Sequence, residues 1–142
     1  MTKAHILIID DNESDALLME EAVKGASSDV QTSAVHSATE ALDFLNKKGA
    51  HINATTPSLI FLDLRMPEMD GHEFLRVVKA DPAFSHIPVI VFTASKKRED
   101  VTESYKLHAN CCIVKPENFM MFKKVVAVIN DYWLGIAALP GD

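Results

Sequence analysis

Leu59-Ile60-Phe61-Leu62-Asp63 is a short apolar run closed by a carboxylate, and its reading decides the fold. The run has strand length and no polar alternation, which fits a parallel strand covered on both faces. His5 to Ile9, Val89 to Phe92 and Cys111 to Val114 share the pattern, while Val30 to Val35 is more polar, as an edge strand would be. Helical patterns fill the intervals at Asp15 to Lys24, Ser37 to Lys48, His72 to Ala80, Arg98 to Leu107 and Asn118 to Trp133. Strand and helix in alternation predict an α/β fold with a doubly wound parallel sheet. Ser37 and Glu40 have capping-box spacing, Gly25 and Gly49 mark helix ends, and Gly49 to Pro57 reads as a surface loop.

A chain of 142 residues with 48% hydrophobic content suits one domain, taken as residues 1–142, whose output must come from its own surface. A formal net charge of -6, from 20 acidic and 14 basic residues, argues against direct nucleic-acid binding, which needs a basic stripe. The first apolar run is cut off by Asp10 and Asp11, so it is neither a signal peptide nor a membrane span. No membrane partner is expected, and the protein should be cytoplasmic. Cys111 and Cys112 are adjacent, where a disulfide would be strained, and read as small buried hydrophobes. The six histidines lack the spacing that gathers a transition metal on a helix.

In open parallel sheets ligands bind beyond the carboxyl ends of the strands. Here those ends are polar: Asp10 and Asp11 follow the first run, Asp63 the third strand, Thr93 the fourth, and Lys115-Pro116 the fifth. Right-handed crossovers bring them to one rim. Two carboxylates about 5 Å apart repel by roughly 3 kcal/mol at an effective dielectric of 20, so three together need compensation. Hard oxygen ligands of this kind favour Mg²⁺. Lys115 offers a positive charge and Thr93 a hydroxyl donor to an incoming phosphoryl group. Taken singly, an Asp pair after a strand is often a helix cap, a Thr a strand former and Lys-Pro a turn. Their coincidence at successive strand ends carries the functional reading.

Asp10-Asp11, Phe61-Leu62-Asp63-Leu64-Arg65-Met66-Pro67-Glu68-Met69-Asp70-Gly71, Thr93-Ala94 and Lys115-Pro116 together resemble the motif set of response-regulator receiver domains. The resemblance covers nearly the whole chain. It implies a flavodoxin-like sheet of five strands in the order 2-1-3-4-5, flanked by five helices, and a role in two-component signalling. It further implies that Asp63 accepts a phosphoryl group from a histidine kinase, with the chain catalysing its own phosphorylation and dephosphorylation rather than acting as an enzyme on other substrates. By the same comparison Asp11, Asp63 and the backbone carbonyl of Arg65 hold Mg²⁺, with Asp10 acting through water, and the Lys115-Pro116 bond is cis. Ser95 and Arg65 stand where the family tunes phosphoryl lifetime.

The chain also departs from the pattern. Family members usually carry an aromatic residue three positions before the lysine; here Cys112 stands there, so the switch is expected to run through Thr93 and the loop from Ala94 to Arg98. The last helix has two apolar stripes, Phe119, Phe122, Val126, Ile129 and Trp133 beside Met121, Val125, Val128 and Tyr132. One stripe suffices for a core; the second, continued into a C-terminal extension at 134–142, points to a homodimer through the last helix and tail. The long loop before Pro57 and Tyr132-Trp133-Leu134 resemble stand-alone regulators that accompany bacterial phytochrome kinases, implying a kinase of that type as partner. Two other classes compete. A Mg²⁺-dependent phosphohydrolase usually carries a second acid two residues after its nucleophile, where this chain has Arg65; a constitutive adaptor would have no reason to keep all five polar groups.

Overall fold

The computed structural model describes residues 4–26 and 29–141. Five strands, β1 (His5–Ile9), β2 (Gln31–Val35), β3 (Leu59–Leu62), β4 (Val89–Thr93) and β5 (Cys111–Val114), alternate with five helices, α1 (Glu13–Ala26), α2 (Ala38–Asn46), α3 (Gly71–Ala80), α4 (Arg98–Lys106) and α5 (Phe119–Asn130). The sheet is parallel in the order β2-β1-β3-β4-β5. Both the doubly wound class and the strand order agree with the sequence reading.

Three of the four runs without alternation became the central strands β1, β3 and β4, the last two buried at every position, whereas the fourth, Cys111 to Val114, became the edge strand β5 and is covered less than expected. Alternate residues of each strand face opposite layers. Leu7, Ile9, Ile60 and Leu62 pack with Phe44, Phe74, Leu75 and Val78 under α2 and α3. Ile6, Ile8, Phe61 and Phe92 pack with Met19, Val23, Phe122 and Val126 under α1 and α5. At the edges burial thins: β2 buries only Val35, and all of β5 is half-buried. Cys111 and Cys112 are therefore half-buried rather than fully buried, and they face opposite layers. Burial raises both thiol pKa values, with the neighbouring charge of Asp100 adding to the rise at Cys112.

Register places the site. Ile9 pairs with both Val35 and Leu62, and Leu62 with Val91, so β1, β3 and β4 end almost level. Asp10 and Asp63, each one residue past its strand, emerge side by side.

Three local expectations need correction. Gly25 lies inside α1, which continues to Ala26. Helix α2 stops at Asn46 because Lys47 itself adopts the left-handed conformation, φ 56°, and closes the cap. Gly49, at φ +59°, instead opens a short 3-10 turn, Gly49–His51, inside the long connection. His51 anchors that turn by packing its ring, tilted, 5.2 Å from that of Phe44 and by pairing with Glu40. The Lys115-Pro116 bond is trans, like every peptide bond among the described residues.

After α5 the chain widens into a π-helical segment, Asp131–Ile136, whose residues Trp133 and Leu134 fold back onto the α1/α5 layer together with Leu139. Phe122, Val126 and Ile129 of the first apolar stripe are buried, but Phe119 is 52% exposed, with Lys123 over its ring. In the second stripe Met121, Val128 and Tyr132 are exposed. Among the described residues no helix is long and apolar enough to cross a membrane.

Candidate functional site

The crevice is built by the residues just beyond the strand ends. Asp10 is buried because its N–H donates to the Val35 carbonyl, continuing the ladder one residue beyond β1. Its Oδ1 accepts from Asn12 N–H at 2.9 Å, and Asn12, not Asp11, caps α1 by accepting from Asp15 N–H at 3.0 Å. That division of labour leaves Asp11 exposed at the mouth. Asp63 is fixed in the same way as Asp10, its N–H donating to the Ile9 carbonyl at 2.9 Å.

Asp10, Asp11 and Asp63 each offer a carboxylate oxygen, and these oxygens lie within 4.8 Å of one another. In an octahedron with metal–oxygen bonds of about 2.1 Å, opposite ligands lie about 4.2 Å apart, so a small contraction fits this set around one ion. Lys115 enters from β5: its Nζ donates to Asp10 Oδ2 at 2.6 Å and to Asp15 Oδ2 at 2.9 Å, and lies 3.9 Å from Asp63 Oδ2. Three carboxylates thus face one ammonium, and Asp11 adds a fourth acid to the cluster, an excess of negative charge that a dication reduces.

Burial pushes the Asp63 carboxyl up to about 6; Lys115 opposes the rise, and the charge and hydrogen bond of Asp10 add to it. Burial also works against the charge on Lys115, but the hydrogen bond and charge of Asp10, with help from Asp63 and Asp15, outweigh it, and its pKa ends above the ordinary lysine value. A cation bound at the three acids would release the Asp63 proton.

Thr93 ends β4 fully buried, its carbonyl accepting from Lys115 N–H at 2.7 Å. Its Oγ1 accepts from Ser95 N–H at 3.1 Å, which leaves the hydroxyl proton free to donate. Arg65 lies two residues beyond Asp63, with its guanidinium turned outward onto Asp100 of α4. The structure therefore gathers Asp10, Asp11, Asp63 and Lys115 tightly, puts Thr93 on the same rim, and sends the Arg65 side chain elsewhere.

Other contributors were not legible beforehand. Asp15 shares Lys115 from a position 100 residues away; its place one helical turn after Asp11 was the available signal. Gly71 is required by space, because a Cβ there would sit 2.4 Å from the Asp63 carbonyl oxygen and 2.7 Å from Leu64 Cα. His36 Nδ1 contacts the Asp10 carbonyl at 3.0 Å, and since a carbonyl only accepts, that nitrogen carries the proton. The aromatic group absent at Cys112 has a partial counterpart in α4: the Tyr105 hydroxyl accepts from Cys112 N–H at 3.1 Å.

A family model described as the response regulator receiver domain spans residues 6–127. This chain belongs to the response regulator receiver family. Response regulator Rcp1 of Synechocystis sp. is 36% identical over 135 residues, covering 95% of this chain and 92% of that protein. Crystal structures of the phosphorylated cyanobacterial phytochrome response regulator RcpA and of the Mn²⁺-bound form of Rcp1 each superpose with a TM-score of 0.92 at 36% identity, over 97% of this chain and 99% of theirs. The bacteriophytochrome response regulator AtBRR gives 0.74 at 34% identity over 97% of this chain and 98% of its own.

The receiver accordingly serves two-component signal transduction, a signalling role in which its counterpart is a histidine kinase. That role takes the place of the phosphohydrolase alternative. The acid cluster of this receiver fits a divalent metal ion, as borne by its Mn²⁺-bound relative.

Proposed function

We propose that this receiver is a Mg²⁺-dependent phosphoacceptor in which Asp63 takes the phosphoryl group from a phytochrome-type histidine kinase, by a transfer that its own residues catalyse. The observation that carries the reading is the convergence of Asp10, Asp11 and Asp63 within 4.8 Å beside the Lys115 ammonium. Asp11, Asp63 and the Arg65 backbone carbonyl would hold the ion, and Asp10 would act through water. When bound, Mg²⁺ offsets charge on the transferring group and keeps Asp63 ionised.

Asp63 then attacks phosphorus in line as a carboxylate, forming an acyl phosphate as the bond to the kinase histidine breaks. Lys115 follows the charge from the Asp63 carboxylate to a phosphoryl oxygen, and the free Thr93 hydroxyl proton supplies a second donor. Drawing Thr93 inward loads the Ser95 N–H that it accepts from, so the loop from Ala94 to Arg98 shifts and α4 moves with it. Transfer of label from an autophosphorylated bacterial phytochrome kinase to the wild type, and none to Asp63→Asn, is the expected result. Failure of the wild type to accept label contradicts the kinase assignment.

The same proposal takes residues 1–142 as one receiver working in the cytoplasm, with 134–142 as a C-terminal extension. Met121, Val128, Tyr132 and Ile136 leave exposed apolar surface along the last helix and tail, which supports a homodimer through that face. Sedimentation should give a mass that rises with concentration, whereas a concentration-independent monomer would remove the dimer.

A further inference from the structure

Lys115 is shared between two kinds of carboxylate. Asp10 and Asp63 belong to the cluster whose oxygens lie within 4.8 Å of one another, whereas Asp15, which the ammonium also touches, stands outside it. The two direct bonds are close in length: Nζ donates to Asp10 Oδ2 at 2.6 Å and to Asp15 Oδ2 at 2.9 Å. Their surroundings differ, since the Asp10 side chain is 3% exposed and that of Asp15 29%.

Asp15 is held in register with Asp10. Asn12 joins them, donating its N–H to Asp10 Oδ1 at 2.9 Å and accepting from Asp15 N–H on its own Oδ1 at 3.0 Å. A cavity of about 340 Å³ opens between Asp15, Leu18, Lys115, Phe119 and Phe122, which leaves the lysine side chain room to turn. Glu117 borders the same cavity, but it is 87% exposed and pairs with Lys96.

Asp10 cannot serve the ammonium and a dication equally. Its Oδ1 is taken by Asn12 and its Oδ2 by Lys115, and two cations beside one buried carboxylate repel each other strongly at low dielectric. With no second anion, the ammonium would either stay on Asp10 and weaken the hold on the dication, or lose its partner in a place largely closed to water. Asp15 offers a third course, a ready partner on the side away from the cluster.

We propose that Asp15 is a positioning residue for Lys115, taking the ammonium over from Asp10 when a divalent cation enters and so raising the affinity of the acid cluster for that cation. The inference rests on the reading of Asp10, Asp11 and Asp63 as a metal centre. Asp15→Asn keeps the shape of the side chain and removes the charge that draws the ammonium.

The test titrates the full chain with Mn²⁺ in the absence of any phosphodonor and reads the free ion by its electron paramagnetic resonance signal. Asp15→Asn should bind Mn²⁺ about five- to tenfold more weakly than the wild type. Lys115→Met should bind at least as tightly as the wild type, and Asp15→Asn/Lys115→Met should bind within about twofold of Lys115→Met, because no ammonium remains to be moved. Unchanged affinity in Asp15→Asn overturns this proposal alone, as does an equal loss in both backgrounds, which would mean that Asp15 acts only through its charge. Glu13→Gln provides the same comparison if Lys115→Met does not fold. It removes an exposed charge from the same helical turn and should leave the affinity within about twofold of the wild type, whereas a loss as large as that of Asp15→Asn overturns the proposal. Asp11→Asn should bind no Mn²⁺. A wild type that takes up none, or an Asp11→Asn variant that binds as the wild type does, overturns the metal reading together with the inference.

Discussion

Helices α3 and α4 leave neighbouring strands at the same crevice, yet they are held in opposite ways. Helix α3 begins with Asp70 capping Glu73 N–H and buries Gly71, Phe74, Leu75 and Val78. Its first residue touches the backbone of Asp63, with Gly71 N–H donating to the Leu64 carbonyl. Helix α4 has no side-chain cap at Lys97 and buries only Ser104. What holds it is polar: Asp100 with Ser95 and Arg65, His72 with Asp100 and Ser104, and Tyr105 with Cys112. Apolar burial is costly to undo, while hydrogen bonds at a half-wet surface can be exchanged for others at little net cost. The acceptor is thus carried by the fixed half of the rim, and the responsive hydroxyl by the half that can move.

Substitution inside each helix is the strongest way to break this contrast. Phe74→Ala in α3 should lower unfolding free energy by about 3–5 kcal/mol in a denaturant titration. Val101→Ala, an apolar truncation in α4, should cost less than about 1.5 kcal/mol. Equal losses would mean that α4 is as firmly packed as α3.

The acid that lies between them sharpens the contrast through pH. In the folded chain without metal Asp63 holds its proton to about 6, against an ordinary value of 3.8. Between these values the folded state binds more protons than the unfolded, so stability falls as pH rises across the window and stays lower above it. Asp63→Asn should therefore melt higher than the wild type at pH 7 and close to it near pH 4. Mg²⁺ should narrow the gap at pH 7 by stabilising the ionised wild type. A gap independent of pH would place the cost of Asp63 somewhere other than its charge.

The architecture was legible because burial on both faces leaves a plain mark. Runs such as Leu59 to Leu62 carry no alternation, and each is followed by a polar residue with no role in a core. Asp10, Asp11, Asp63 and Lys115 were readable as one site because topology alone brings strand ends together. Other features depend on space and on distant partners, which sequence does not display. Lys47 took the left-handed cap that Gly49 was expected to provide, because either backbone could close α2. Phe119 fits the helical stripe by spacing yet lies outward at the first turn of α5, beyond the reach of the sheet. Asp15 and Asp100 look like ordinary first-turn acids until Lys115, Ser95 and Arg65 arrive beside them.

The smallest expected effect concerns the outer edge of α4. Tyr105→Phe deletes the oxygen that accepts from Cys112 N–H and should cost about 1 kcal/mol. Amide hydrogen exchange should quicken along α4 and at Cys112 while α3 keeps its protection; faster exchange in α3 would show that the two helices open together.

The central claim, that Asp63 is the group phosphorylated, is met most directly by intact mass after incubation with a small phosphodonor and Mg²⁺. The wild type should gain about 80 Da, the mass of one phosphoryl group, and should show no gain when a chelator removes the metal before the donor is added. Asp63→Asn should gain nothing. An equal gain in Asp63→Asn, or none in either protein, would contradict the account.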